Sequence, residues 1–157
     1  MDVPELAARE SIRDLVARDT ASGDSGRFEE TMALFAEDAV VEVVPGRTYT
    51  GRDEIRSLFT GAAKTDATEA TSEPKKRRFI RHYTATHQIE VLGPDEARGR
   101  SYYAVITESG LDHWGRYVDR YVQRDGRWLF LHRHISVDAS VPGGWADRAS
   151  AHLRDDR

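Results

Sequence analysis

Residues Arg78 to Leu92 read RFIRHYTATHQIEVL, and the strict two-residue alternation in this stretch predicts one long β-strand. Tyr83, Ala85, His87, Ile89 and Val91 fall on one parity, and His82, Thr84, Thr86, Gln88 and Glu90 on the other. A strand face packed on an apolar core carries Val, Ile and aromatic residues. The second face here carries a His, two Thr and a Gln, so it meets solvent or lines a polar cavity. We read it as a cavity wall, with His82 as its proton-transfer group.

The chain around this strand sets limits on what it does. Its 157 residues suffice for one domain with a substantial core, and 39% hydrophobic with 32% charged residues is an ordinary globular composition. No apolar run approaches the ~18 residues of a membrane span, and no basic head precedes an apolar stretch as in a signal peptide. There is no cysteine, which excludes disulfides and thiol catalysis and fits a cytoplasmic location. A net charge of −4 argues against nucleic acid as a partner. The basic run Lys75-Lys76-Arg77-Arg78 is the exception, and it reads as a solvated loop end.

Downstream, the strand turns at Gly93-Pro94-Asp95-Glu96 into a second strand over Ala97–Glu108. A third covers His113–Gln123, and the hairpin turn Arg124-Asp125-Gly126 leads into a fourth, Arg127–Val137. Upstream, Leu6, Ala8, Ile12, Leu15, Val16 and Asp19 share one face of a helix over residues 3–21, which Ser22-Gly23 ends. A second helix is expected over Arg27–Ala36, a break at Glu37-Asp38, a strand over Ala39–Val44, a short return strand over Arg47–Thr50 and a third helix over Gly51–Gly61. Residues 62–77 have no apolar period and read either as a mobile lid or as a plain insertion. Helices first and long strands afterwards make an α+β fold. The expected form is a cone: a curved antiparallel or mixed sheet wrapped over three N-terminal helices, with an internal pocket. The domain is taken as residues 1–140, and residues 141–157 as a polar tail in which Trp145 docks on the same chain or on a neighbour.

Asp24 and His82 are the leading chemical pair. A carboxylate orients an imidazole and stabilises its protonated form, which makes the ring a base at neutral pH. Locally, Asp24 also reads as a turn former and His82 as a structural strand residue. Asp119, between Tyr117 and Tyr121, is a second candidate base, or one half of a cross-strand ion pair. Asp19 sits near the end of the first helix, where the helix dipole disfavours negative charge. His132 and His134 share a strand face, with Arg133 on the opposite parity. Two such histidines are compatible with a metal, but no carboxylate pattern accompanies them and none is expected. His87 and His113 are further candidates.

The segments Phe35-Ala36-Glu37-Asp38-Ala39-Val40, Tyr49-Thr50-Gly51-Arg52-Asp53-Glu54-Ile55 and Tyr121-Val122-Gln123-Arg124-Asp125-Gly126-Arg127-Trp128, in this order of elements, resemble the SnoaL-like branch of the ketosteroid isomerase / nuclear-transport-factor-like superfamily. The resemblance covers about residues 5–138 and is nearest to the group of scytalone dehydratase, hexachlorocyclohexane dehydrochlorinase and bile acid 7α-dehydratase. Within that group it implies that His82 removes a proton, Asp24 orients it, and Arg133 assists the leaving group or an oxyanion. Tyr49, Tyr103, His132, Asp19 and Thr107 are auxiliary candidates. Gly23, Asp19 and Thr107 stand where relatives have catalytic Tyr or His, so no substrate carries over. Asp119 matches the aspartate of the polyketide cyclase branch, which implies a cyclase or isomerase as the alternative. A non-catalytic binding module is the third reading. The resemblance further implies a small hydrophobic, polyketide- or steroid-like substrate, no cofactor, no membrane or nucleic-acid partner, and a homodimer or homotrimer.

Overall fold

The structure is a computed structural model that describes residues 1–65 and 79–147. The elements are α1 (Val3–Asp24), α2 (Phe28–Met32), β1 (Phe35–Val44), β2 (Thr48–Thr50), α3 (Gly51–Thr65), β3 (Ile80–Val91), β4 (Glu96–Thr107), β5 (Gly110–Arg124) and β6 (Arg127–Ser140). The strands form one open sheet in the order β2-β1-β6-β5-β4-β3. β1 and β6 run parallel and every other pair antiparallel, so the sheet is mixed. The helices pack on one face of it, as the α+β reading expects. Helix α3 runs to Thr65, past the expected end at Gly61 and into the loop expected over 62–77; residues 66–77 of that loop and 148–157 of the tail expected over 141–157 lie outside the described residues.

Helix α1 starts where Asp2 accepts a hydrogen bond from the Glu5 amide at 2.8 Å, with Pro4 in the first turn. It runs to Asp24, past the expected stop at Ser22-Gly23. The Ser22 hydroxyl is occupied by Thr31 at 2.8 Å, and the chain leaves the helix only at Gly26, whose φ of 70° needs no Cβ. Asp24 is thus the last residue of the helix and not a loop residue beyond it.

Two boundaries between α2 and β1 also differ from expectation. α2 is a short piece, and β1 begins at Phe35, which pairs with Phe130. The two rings stack at 5.0 Å, and burying them outweighs another helical turn. Glu37-Asp38 is no break but an irregularity inside β1, held by two hydrogen bonds from Arg124 to Asp38 at 2.6 and 3.1 Å. Ile12, Phe35, Val41, Ile55, Tyr121 and Phe130 are fully buried between sheet and helices. Each contributes roughly 1.5–3 kcal/mol of hydrophobic stabilisation.

The long strand β3 departs from simple alternation. Its register on β4 slips between Ala85 and Gln88, and Thr86 adopts φ 56°, the mark of a bulge. Before the bulge His82 and Thr84 face α1; after it His87 and Ile89 do. Gln88 and Glu90, expected on the cavity wall with His82, are therefore exposed. The polar face of this strand ends at Thr84. At the other end of the chain, β6 continues to Ser140, and Trp145 docks on its own chain through its amide, which donates to Asp112 at 2.6 Å.

Candidate active site

The end of α1 and the start of β3 bring Asp24 and His82 together across 58 residues. One Asp24 oxygen meets His82 Nδ1 at 2.6 Å, and the other accepts the His82 backbone amide at 2.9 Å. Both oxygens are thus fixed by one residue. The carboxylate is 5% exposed and the imidazole 30% exposed. With Nδ1–H directed at the carboxylate, Nε2 carries the lone pair, and it has no hydrogen-bond partner among the described residues. Thr20, one turn back on α1, approaches Thr84 at 3.5 Å and extends this polar seam.

Beside it lies a buried ionic group. Arg133 on β6 points inward, so His132 and His134, on the opposite parity, face away from the core. Its Nε and Nη2 donate to Asp119 at 2.8 and 2.9 Å, and its Nη1 donates to Asp19 at 2.6 Å. The guanidinium lies over the rings of Tyr117 at 4.3 Å and Phe130 at 4.1 Å. The Tyr121 hydroxyl donates to Asp119 at 3.0 Å and meets His87 Nε2 at 3.1 Å. Every nitrogen of Arg133 is engaged by these two carboxylates, and Asp119 is 1% exposed with three donors on it. Burial pushes the pKa of Asp19 up against the pull of Arg133, and its Oδ1 is buried without a partner.

The remaining candidates are spread over the molecule. His132 and His134 both lie near Glu42 Oε2, at 3.4 and 3.0 Å, on the face of the sheet opposite Arg133. No group of three or more His, Asp or Glu among the described residues is arranged to hold a metal ion. Tyr103 is buried and stacks on Tyr117 at 4.4 Å; burial lifts its pKa to about 12, so it is a donor at neutral pH. Tyr49 packs against the core, with Arg47 over its ring. Thr107 closes the β4–β5 turn by accepting the Ser109 amide at 3.3 Å. Sequence reasoning passed over Asp112. It pairs with His113 Nδ1 at 2.8 Å, and both residues are buried although consecutive. Alternation alone hides such a pair.

Two open hollows of about 300 and 320 Å³ lie elsewhere, the first lined by Glu29, Met32, Arg52 and Arg56 and the second by Asp14, Arg18, Arg127 and Trp128. Neither includes Asp24 or His82. The pair sits on the face of the sheet that α1 packs against, with its imidazole partly open to solvent.

With this geometry in hand, comparison with known proteins gives a family. The model of the SnoaL-like domain matches residues 4–134. The chain belongs to the SnoaL-like family. Among solved structures, this SnoaL-like chain is similar to a putative scytalone dehydratase from Novosphingobium aromaticivorans. The two share 25% identity over 90% of this chain and 91% of the other, with a TM-score of 0.75. An NTF2-like protein with a cystatin-like fold from the same organism is 25% identical over 94% and 96% of the two chains, with a TM-score of 0.69. The hexachlorocyclohexane dehydrochlorinase LinA-type3 of Novosphingobium barchaimii, at 20% identity over 91% and 96%, shares the fold with a TM-score of 0.72. No curated protein matches the chain.

Proposed function

We propose that this SnoaL-like protein is a cofactor-independent lyase, in which His82 Nε2 removes a proton from carbon and a leaving group departs. The observation that carries this reading is the 2.6 Å contact from Asp24 to His82 Nδ1, with Nε2 left without a partner among the described residues. The buried carboxylate fixes the tautomer and stabilises the imidazolium that forms, a combination that typically contributes about 10²–10⁴-fold. Relatives named for dehydratase and dehydrochlorinase activity support elimination as the reaction class. Tyr103, protonated at neutral pH, is the hydrogen-bond donor we assign to the developing oxyanion. Arg133 then acts through the charge it holds beside Tyr117, since its nitrogens are taken.

A cyclase or isomerase is the second reading, and it uses the same base. Asp119, fully enclosed by Arg133 and Tyr121, has no open oxygen to offer a substrate. The two readings separate by mass. The protein is incubated with scytalone and with hexachlorocyclohexane, and products are weighed by mass spectrometry. Loss of water or of hydrogen chloride supports the lyase; an isomeric product of unchanged mass supports the alternative. His82→Ala should abolish either. Turnover that survives this substitution would remove His82 as the base.

A further inference from the structure

We propose that His113, oriented by Asp112, is a second proton-accepting group on the same face of the sheet as His82, and that it takes the proton of an ionisable hydroxyl on the substrate whose carbon-bound proton His82 removes. This rests on the lyase reading and adds a substrate class to it: ring compounds carrying a phenol or enol hydroxyl.

Register carries the placement. His82 pairs with Val105 of β4, and Val105 pairs with His113 of β5. Residues paired across a sheet project from the same face. The two histidines therefore stand in one row with fully buried Val105 between them. Two strand spacings put their Cα atoms roughly 9.6 Å apart, about the length of one or two fused rings.

A bulge carries the chemistry. The β4–β5 register slips between Val105 and Ile106, whose partners are His113 and Leu111, so Asp112 is the inserted residue. In a regular strand Asp112 and His113 would face opposite ways; here both are buried, at 3% and 6% exposure, and Asp112 meets His113 Nδ1 at 2.8 Å. Asp112 is itself fixed by the amides of Trp145 at 2.6 Å and Ala146 at 3.2 Å. The imidazole is boxed by the edge of Tyr103 at 5.9 Å and the Trp145 ring at 5.6 Å. Its Nε2 has no partner among the described residues. Burial draws His113 toward the neutral form against the pull of Asp112, so Nε2 holds a lone pair at neutral pH. A hydroxyl placed there can pass its proton to Nε2: the O–H bond breaks, the N–H bond forms, and the phenolate stays paired with the imidazolium. A phenolate pushes electrons into the ring and so favours departure of a leaving group elsewhere on it.

The probe is 4-nitrophenol, whose phenolate is yellow. The expected result is that the wild-type protein binds it as phenolate, lowering its apparent pKa by about one unit or more, and that His82→Ala retains this shift while His113→Gln loses it. Because His113→Gln also removes a buried contact, the wild-type protein is read directly by long-range 1H–15N NMR of its imidazoles. His113 should pass from the Nδ1–H tautomer to the imidazolium as 4-nitrophenol is added. No binding, binding without an ionisation shift, or a shift confined to His82 would each overturn the proposal. None of these outcomes bears on whether the protein eliminates water or chloride through His82.

Discussion

Arg133 shows how one buried residue sets the state of two others. It faces Asp119 with two nitrogens and Asp19 with one, and Tyr121 adds a third donor to Asp119 alone. Asp119 is thereby solvated by the protein, whereas Asp19 has an orphan oxygen and a pKa raised by burial. Asp119→Asn should cost roughly 3–5 kcal/mol, since it leaves a buried guanidinium without its charge partner. Asp19→Asn should cost less, because burial raises the Asp19 pKa, and an amide carries no charge to desolvate while its oxygen can still accept from Arg133 Nη1. Urea denaturation of both variants checks the contrast, and equal losses would refute it. At Gly115 the constraint is steric. A Cβ there would overlap the Ser136 carbonyl oxygen and press on Tyr103. Gly115→Ala should therefore destabilise by about 3 kcal/mol or more, read as a lowered melting temperature with loss of near-ultraviolet signal from the Tyr103–Tyr117 stack.

Elements place these residues, and their irregularities do most of the aiming. The bulge in β3 lets one strand offer His82 to Asp24 and, five residues later, His87 to Tyr121. Thr86 holds φ 56° to make it, a conformation a β-branched residue adopts at a cost of about 1–3 kcal/mol. Thr86→Gly should thus stabilise by about 1 kcal/mol. Deleting Thr86 should instead remove the inserted residue, so that β3 pairs with β4 without a slip while His82, Thr84, His87 and Ile89 keep facing α1, and the variant should still unfold cooperatively. A deletion variant that loses cooperative unfolding would show that the bulge does more than take up one extra residue. This is also where legibility stopped. The strands, their order along the chain and the shared parity of Tyr117, Asp119 and Tyr121 follow from period-two patterning and were readable. His82 was readable because it heads a polar strand face, and Asp24 through the resemblance, since locally it reads as a turn former. Bulges leave no such mark: Thr86 and Asp112 are ordinary residues whose conformation is decided by the neighbouring strand. The β1 boundary was hidden for the same reason, since Phe35 is drawn from helix to strand by a partner, Phe130, that lies 95 residues away.

For the whole molecule, stability should depend on pH in a way that these buried groups dictate. His87 and His113 are both pushed below the usual value of 6.5, in each case chiefly by burial. The fold therefore holds them neutral while the unfolded chain takes up protons as the pH falls below that value. Stability contributed by their neutral forms is complete above the unfolded pKa and is lost as pH falls toward the folded one. Asp19 acts in the opposite direction. Its raised pKa means that the folded state binds a proton before the unfolded state does, so acidification relieves the cost of its ionisation. Asp19 opposes the histidines only where the folded protein holds its carboxyl protonated and the unfolded chain, with its aspartate near 3.8, does not. Going from about pH 7.5 to about pH 5.5, the wild type should lose urea midpoint. A His87→Gln, His113→Gln double variant should show a flatter profile over the same range. Asp19→Asn, which removes the opposing contribution, should leave the histidine-driven loss intact or make it steeper. A double variant as pH-sensitive as the wild type would mean that these imidazoles are not buried neutral, and the lone pair assigned to His113 Nε2 would go with them.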